Sequence, residues 1–145
     1  MERFPTIVLL LVALCYTFLS AYCAPVASEA QLDALKKNYS GDGTFYAPGL
    51  GACGVTNSAG QLIVAVGHGV FDSFPGADES GNPNNNPICG RKLKATYQGK
   101  SVEVSVQDRC AGCAGAADLD FTEAGFKKLS PLAVGRLKGV QWEWL

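Results

Sequence analysis

"RKLKATYQGKSVEVSVQ", residues 91–107, is the stretch that decides the fold class. Apolar and polar side chains alternate on both sides of the Gln98-Gly99 pair. The apolar positions are Leu93, Ala95 and Tyr97 before that pair, and Val102, Val104 and Val106 after it. Two alternating runs joined at a glycine-containing turn predict a β-hairpin with one buried face.

Shorter segments on either side extend this pattern. Strands are predicted at residues 44–47, 61–66, 119–121 and 139–145. One helical turn is predicted within residues 67–74, and Thr122 is expected to cap a short helix that buries Phe126 and Leu129. About six short strands, one or two short helices and many glycine turns predict a mainly β fold, a small six-stranded barrel rather than a sandwich.

The first 23 residues have the character of a secretory signal peptide. Their apolar run, about 14 residues long, is short for a bilayer span of about 20 residues, and a retained membrane anchor is the alternative. Residues 24–40 are predicted to form a leader that contains a short helix, capped by Ser28 and running through Lys37. Residues 41–145 then form one domain.

Charge and cysteine content indicate the setting of this domain. The net charge of −1 lacks the basic excess that a nucleic-acid partner requires. Of the six cysteines, four remain after the predicted cleavage, which is typical of a disulfide-bonded extracellular protein with no membrane association of its own. Asn38-Tyr39-Ser40 is an N-glycosylation sequon.

A second stretch, "VQDRCAGCAGAADLDF" at residues 106–121, carries the candidate chemistry. Zinc needs a second close ligand pair, but Cys53 and Cys89 are far apart in sequence and His68, the chain's one histidine, lies in another segment. A redox C-x-x-C opens a helix, whereas this one follows a predicted strand. A local disulfide staple is therefore favoured, and we expect no metal and no cofactor.

The four retained cysteines suggest one pairing in particular. Cys110 and Cys113 are the nearest in sequence and the easiest to join, which leaves Cys53 to pair with Cys89. The second bond would close a loop of about 36 residues and add about 3–4 kcal/mol in the chain-entropy model.

Two aspartates in this stretch are candidates for a functional site. Asp108 follows the predicted strand that ends at Val106, and Asp120 stands between Leu119 and Phe121. An apolar setting raises a carboxyl pKa and suits the group to donate a proton or a hydrogen bond to a sugar. The alternative is that either aspartate caps a turn or the helix that begins at Thr122.

Four motifs in order resemble the double-psi β-barrel of expansin domain 1 and its single-domain fungal relatives, the loosenins and rare-lipoprotein-A-like secreted proteins. They are "GTFYAPGLGACG", "CGRKLKATYQGKSVEVSVQDRCAGC", "LDFTEAGFKKL" and "VQWEW", and together they span residues 43–144. The resemblance implies a six-stranded double-psi barrel with an open groove for a cell-wall polysaccharide such as a glucan or chitin.

The resemblance also implies which residues line that groove. Thr44, Asp108 and Asp120 take the places of the family's polar groove residues. Cys110 replaces the family's groove aromatic, and Tyr46 is a candidate substitute. Phe126 and Trp142 are expected in the core.

Three functions remain open at this point. The first is polysaccharide binding and wall loosening without hydrolysis. The second is a glycosidase or lytic transglycosylase with Asp120 as the general acid, which lacks a secure second carboxylate because Asp118 is so close in sequence. The third is a module that binds a secreted protease through exposed loops such as residues 78–87, with no chemistry in the groove. His68 is expected to have a structural role.

Overall fold

A computed structural model describes residues 29–77 and 81–145 of the chain; the predicted signal peptide, Ser28 and residues 78–80 lie outside the described residues. Six strands are present in this part: β1 Tyr39–Tyr46, β2 Ile63–Gly67, β3 Lys92–Tyr97, β4 Lys100–Cys110, β5 Leu119–Thr122 and β6 Leu137–Trp144. Three α-helices accompany them: α1 Glu29–Leu35, α2 His68–Asp72 and α3 Glu123–Leu129. Single 3₁₀ turns lie at Pro83–Asn85 and Leu132–Val134.

The strands close into a barrel in the order β1-β5-β2-β4-β3-β6, and β6 pairs with β1 to complete it. β1 with β5 and β2 with β4 are parallel pairs, whereas the remaining neighbours are antiparallel. The predicted mainly β, six-stranded barrel is thereby confirmed. No helix within residues 29–77 or 81–145 combines the length and apolar character needed to cross a bilayer.

The predicted hairpin is formed by β3 and β4. Leu93 pairs with Val104 and Ala95 with Val102, and all four side chains are buried. Gln98 and Gly99 have φ angles of 47° and 79°, the positive values that a two-residue turn between right-twisted strands requires. The alternation therefore places its apolar face in the core, as expected.

Two further elements follow their predictions closely. Thr122 Oγ1 accepts a hydrogen bond from the backbone N–H of Gly125 at 3.3 Å, which caps α3, and Phe126 and Leu129 of this helix are buried. β6 buries Trp142 and Trp144 but begins at Leu137, two positions before the predicted start.

β1 departs most from its prediction. It begins at Tyr39 instead of at residue 44, so the proposed domain boundary at residue 41 falls inside a strand. The Tyr39 ring stacks on Trp142 with centroids 4.1 Å apart. Gly41 approaches the carbonyl of Ala117 so closely that no side chain would fit. Gly41 is therefore needed for close backbone contact within a strand and does not mark a loop.

The predicted leader helix ends at Leu35, two residues earlier than expected.

Both predicted disulfides are present. Cys53 and Cys89 have Cα atoms 5.6 Å apart, and Cys110 and Cys113 have Cα atoms 5.4 Å apart. Both distances are ordinary for a disulfide. A zinc site or a thiolate switch would need free sulfurs, so the staple is the alternative that agrees with the structure.

The two disulfides should contribute unequally to stability. Replacing Cys53 and Cys89 with Ser should lower the free energy of unfolding by about 3–4 kcal/mol, because the closed loop is long. Replacing Cys110 and Cys113 with Ser should cost about 1.5–2 kcal/mol, because that loop is short. Urea unfolding of both double variants measures the difference, and equal losses would contradict this account.

Candidate functional site

A groove with a volume of about 280 Å³ crosses the barrel where β1, β5, β2 and β4 lie side by side. In the strand register, Thr44 is opposite Asp120, Asp120 is opposite Ala65, and Ala65 is opposite Asp108. Residues paired across neighbouring strands share one face of a sheet. These four side chains therefore form a row, and the small Ala65 leaves a hollow between the two aspartates.

A β-bulge brings Asp108 to this face. Val64 pairs with Val106 and Ala65 pairs with Asp108, so Gln107 is an extra residue in β4. Strict alternation from the buried Val106 would direct Asp108 into the core. The extra residue shifts the alternation by one position, so that Asp108 faces the groove instead. Asp108 was predicted at the end of its strand; β4 instead continues through it to Cys110.

The Asp108 carboxylate is largely occupied by the protein itself. Its Oδ1 accepts hydrogen bonds from the backbone N–H groups of Ala52 and Arg109, each at 2.8 Å. Its Oδ2 accepts from the Tyr46 hydroxyl at 3.2 Å. A carboxylate has about four acceptor positions, so little capacity remains for a ligand. Burial, reinforced by the Asp108 charge, raises the pKa of Tyr46, which keeps this hydroxyl protonated as a donor.

Asp120 has more capacity for a ligand. Its Oδ1 accepts a hydrogen bond from Thr44 Oγ1 at 2.6 Å, and its Oδ2 has no hydrogen-bond partner within the described part of the chain. Burial raises the pKa of the Asp120 carboxyl above its ordinary value, although the Thr44 hydrogen bond acts in the opposite direction. The predicted desolvated carboxylate is therefore Asp120, held by Thr44 and open to the groove.

Asp118 has a structural role. Its side chain is buried, its Oδ1 accepts from the N–H of Asp42 at 2.8 Å, and its Oδ2 accepts from the N–H of Gly115 at 2.8 Å. These bonds hold the turn that leads into β5. Asp118 and Asp108 are both committed to the backbone, so neither is free to act as the second carboxylate of a glycosidase.

Two ion-paired arginines complete the groove wall. Arg109 contacts Asp72 through two hydrogen bonds of 2.7 and 2.6 Å, and Arg136 lies 3.3 Å from Asp42. The pKa of Asp72 is lowered by Arg109. The pKa of Asp42 is also lowered, and the largest cause is its hydrogen bond with Lys138, whose Nζ lies 2.6 Å from Asp42 Oδ2. The sequence did not single out either arginine, because each reaches the groove through contacts between distant segments.

The Cys110–Cys113 disulfide forms another part of the wall, together with Ala111 and Gly112. Cys110 thus occupies the place where the resemblance implied an aromatic. Tyr46 supplies the aromatic side chain of this groove. His68 begins α2 and is not among the residues that line the groove, and its Nδ1 is buried without a hydrogen bond to any described residue.

Comparisons with known proteins place the chain among double-psi barrels. No protein-family model matches it. The papain inhibitor of Streptomyces mobaraensis is 33% identical over 109 residues, which covers 73% of this chain and 71% of that protein. The solved Streptomyces papain inhibitor has a TM-score of 0.66 and 31% identity over 77% of this chain and 96% of its own length.

Two other similarities are more limited. An Asp f 7 allergen homologue from Arthroderma benhamiae is 32% identical over 140 residues, which are 87% of this chain but only 43% of that protein. An expansin mutant from Clavibacter michiganensis, solved in complex with cellohexaose, has a TM-score of 0.59 at 24% identity, over 75% of this chain and 50% of that chain. This last similarity concerns the fold alone.

The raised pKa of Asp120 should be visible in stability. When the pKa of a carboxyl is higher in the folded state than in the unfolded state, ionisation disfavours the folded state. The free energy of unfolding therefore falls as the pH rises from the unfolded-state pKa to the folded-state pKa. Asp120→Asn keeps an acceptor for Thr44 and cannot ionise. This variant should therefore melt above the wild type at pH 7 and lose its advantage below the unfolded-state pKa.

Carboxyl ¹³C titration by NMR tests the same point directly. The Asp120 midpoint should lie above the ordinary aspartate value, whereas those of Asp42 and Asp72 should lie below it. The two ion-paired residues serve as internal controls. An Asp120 midpoint at or below theirs would contradict the desolvated environment described here.

Proposed function

We propose that this chain, which belongs to the family of the Streptomyces papain inhibitor, is a secreted inhibitor of papain-like cysteine proteases. The observation that carries the proposal is the extent of the relationship: the similarity covers 96% of the solved inhibitor. Almost the whole of that inhibitor therefore has an equivalent region in this chain. The residues alone favoured polysaccharide binding, and the sequence relationship supports inhibition at least as well.

The architecture suits an inhibitor. A closed barrel leaves no free sheet edge, and two disulfides restrain the connecting loops. A rigid surface loses little conformational entropy when it binds. Disulfides also suit the oxidising compartments outside the cell, which supports secretion after cleavage of the proposed signal peptide at residues 1–23.

Inhibition is tested with the purified secreted protein and papain. Papain should be activated with thiol and then desalted, because residual reductant would open the disulfides. Hydrolysis of a small peptide substrate should fall in a dose-dependent way, whereas trypsin under the same conditions should be unaffected. Full papain activity in the presence of a 100-fold excess of folded protein would refute the proposed function.

A second candidate function is supported by the groove itself: binding of a neutral polysaccharide without cleavage, with loosening of a cell wall as the consequence. Asp120 offers a free carboxylate oxygen beside Thr44, and sugar hydroxyls are donors for such an acceptor. The cations at the rim are paired with Asp72 and Asp42, so they do not attract a polyanion. Asp108 and Asp118 are committed to backbone hydrogen bonds, and Asp42 is ion-paired with Arg136 and Lys138. These three groove carboxylates therefore do not supply the second group that hydrolysis needs.

Asp120→Asn tests the groove separately from inhibition. Loss of one charge-assisted hydrogen bond should weaken binding to glucan, chitin or cellulose by about 10- to 150-fold. Papain inhibition by the same variant should be unchanged. Insoluble-polysaccharide binding, a reducing-end assay and a thermal melt measure the three properties. Wild-type polysaccharide binding by the folded variant would remove Asp120 from the proposed site.

Asp108→Asn is expected to behave differently. An amide places an N–H₂ group where the carboxylate accepts from Ala52 or Tyr46, so this variant should melt at a lower temperature than the wild type. Unchanged stability would contradict the structural role of Asp108.

A further inference from the structure

We infer that the loop at residues 49–57, "GLGACGVTN", is the surface that enters the cleft of the target protease. The inference rests on the proposed inhibitory function and assigns it to one element of this chain. The loop is part of the connection between β1 and β2, and none of its residues is among those that line the groove. Four features support the assignment: exposure, lack of charge, internal rigidity and firm attachment to the barrel.

The loop exposes apolar side chains. Leu50 is 75% exposed, more than any other large hydrophobic residue in the described part of the chain, and Val55 is 46% exposed. Gly51 and Asn57, by contrast, are buried. No Asp, Glu, Lys, Arg or His occurs between Tyr46 and His68. An uncharged surface with exposed apolar side chains is suited to burial against a partner.

Hydrogen bonds within the loop fix its shape. Leu50 and Thr56 form an antiparallel bridge, and Gly51 N–H donates to the carbonyl of Val55 at 2.9 Å. Asn57 adds two contacts: its backbone N–H donates to Gly49 at 2.9 Å, and its side-chain Nδ2 donates to Val55 at 2.9 Å. The loop is therefore a small hairpin that needs no ordering on binding.

The turn of this hairpin, at residues 52–54, is attached to the barrel at three points. Cys53 is bonded to Cys89, and its N–H donates to the carbonyl of Gln107 at 3.3 Å. Ala52 N–H donates to Asp108 Oδ1 at 2.8 Å. Leu50 and Val55 flank this anchored turn, so their exposed apolar side chains are held on a rigid support. A rigid, uncharged apolar surface of this kind is suited to burial in the substrate cleft of a protease.

The neighbouring loop is less suitable. Residues 78–87 were the predicted protease contact, but 78–80 lie outside the described residues. In residues 81–86, the side chains are those of Asn and Pro, apart from one glycine. Asn86 is buried and uses its Nδ2 to bond the carbonyl of Phe71 at 2.8 Å. The Cys53–Cys89 disulfide joins the loop at residues 49–57 to the chain just beyond the end of this polar loop, so the polar loop supports the apolar one.

Substitution of Leu50 tests the assignment. Leu50→Asp should raise the Ki for papain about 100-fold, and Leu50→Ala about 10-fold, because a central apolar anchor is lost from the interface. Val134→Asp is the matched control: Val134 is 51% exposed and lies in a different segment, so its Ki should stay within twofold of the wild type. Thermal melts should be the same for all four proteins.

The outcomes separate the two proposals. If the wild type does not inhibit papain, the proposed function fails. If the wild type inhibits and folded Leu50→Asp inhibits equally well, only the assignment to this loop fails. Self-association that depends on Leu50, with inhibition unchanged, would overturn it in the same way.

A binding measurement tests the cleft directly. Papain whose cleft is filled by a covalent peptidyl inhibitor should bind the protein at least 10-fold more weakly than free papain does. Equal binding to both forms would overturn the inference.

Discussion

The carboxylate of Asp108 accepts hydrogen bonds from three parts of the chain: the loop at residues 49–57, its own strand β4, and Tyr46 of β1. These bonds are possible only because the bulge at Gln107 turns Asp108 away from the core. The side chain therefore fixes the turn of the exposed loop and one part of the groove wall at the same time. A groove ligand that recruited Asp108 Oδ1 would release a backbone N–H of the loop, whereas one that recruited Asp120 would not.

The groove and the loop consequently have different physical characters although they share this residue. The groove is polar, and its charged side chains are paired across short distances. In its central row, Asp120 is the one desolvated carboxylate that keeps a free oxygen. The loop is uncharged and carries its apolar side chains outward. A barrel of this size can thus present two surfaces of opposite chemistry, one polar with paired charges and the other uncharged with exposed apolar side chains.

Alternation of apolar and polar residues predicted the strands in which every second side chain is buried. The alternation in β3, β4 and β6 places every second side chain in the core, so those strands could be recognised from the sequence. The first part of β1, before residue 44, could not, because Gly41 and Gly43 look like loop residues until Ala117, Phe121 and Val140 are known to pack against them.

The site shows the same division. Asp120 was identified from its apolar neighbours and from the family resemblance, and its bond to Thr44 depends on a parallel pairing between β1 and β5 that no local pattern contains. The face of the sheet on which Asp108 lies depends on the bulge at Gln107. Strict alternation, which ignores the bulge, places Asp108 on the wrong face. Arg109 and Arg136 reach the groove only through tertiary contacts.

The pairing of β1 with both β5 and β6 also bears on how the chain is made. Tyr39 lies opposite Trp142, so the first strand has no complete set of partners until almost the whole domain has been synthesised. Contacts of such high sequence separation slow folding, because a long loop must close before they form. The barrel can therefore close only once β6 is available to pair. Until then, the edge of β1 that faces β6 has unpaired backbone N–H and C=O groups.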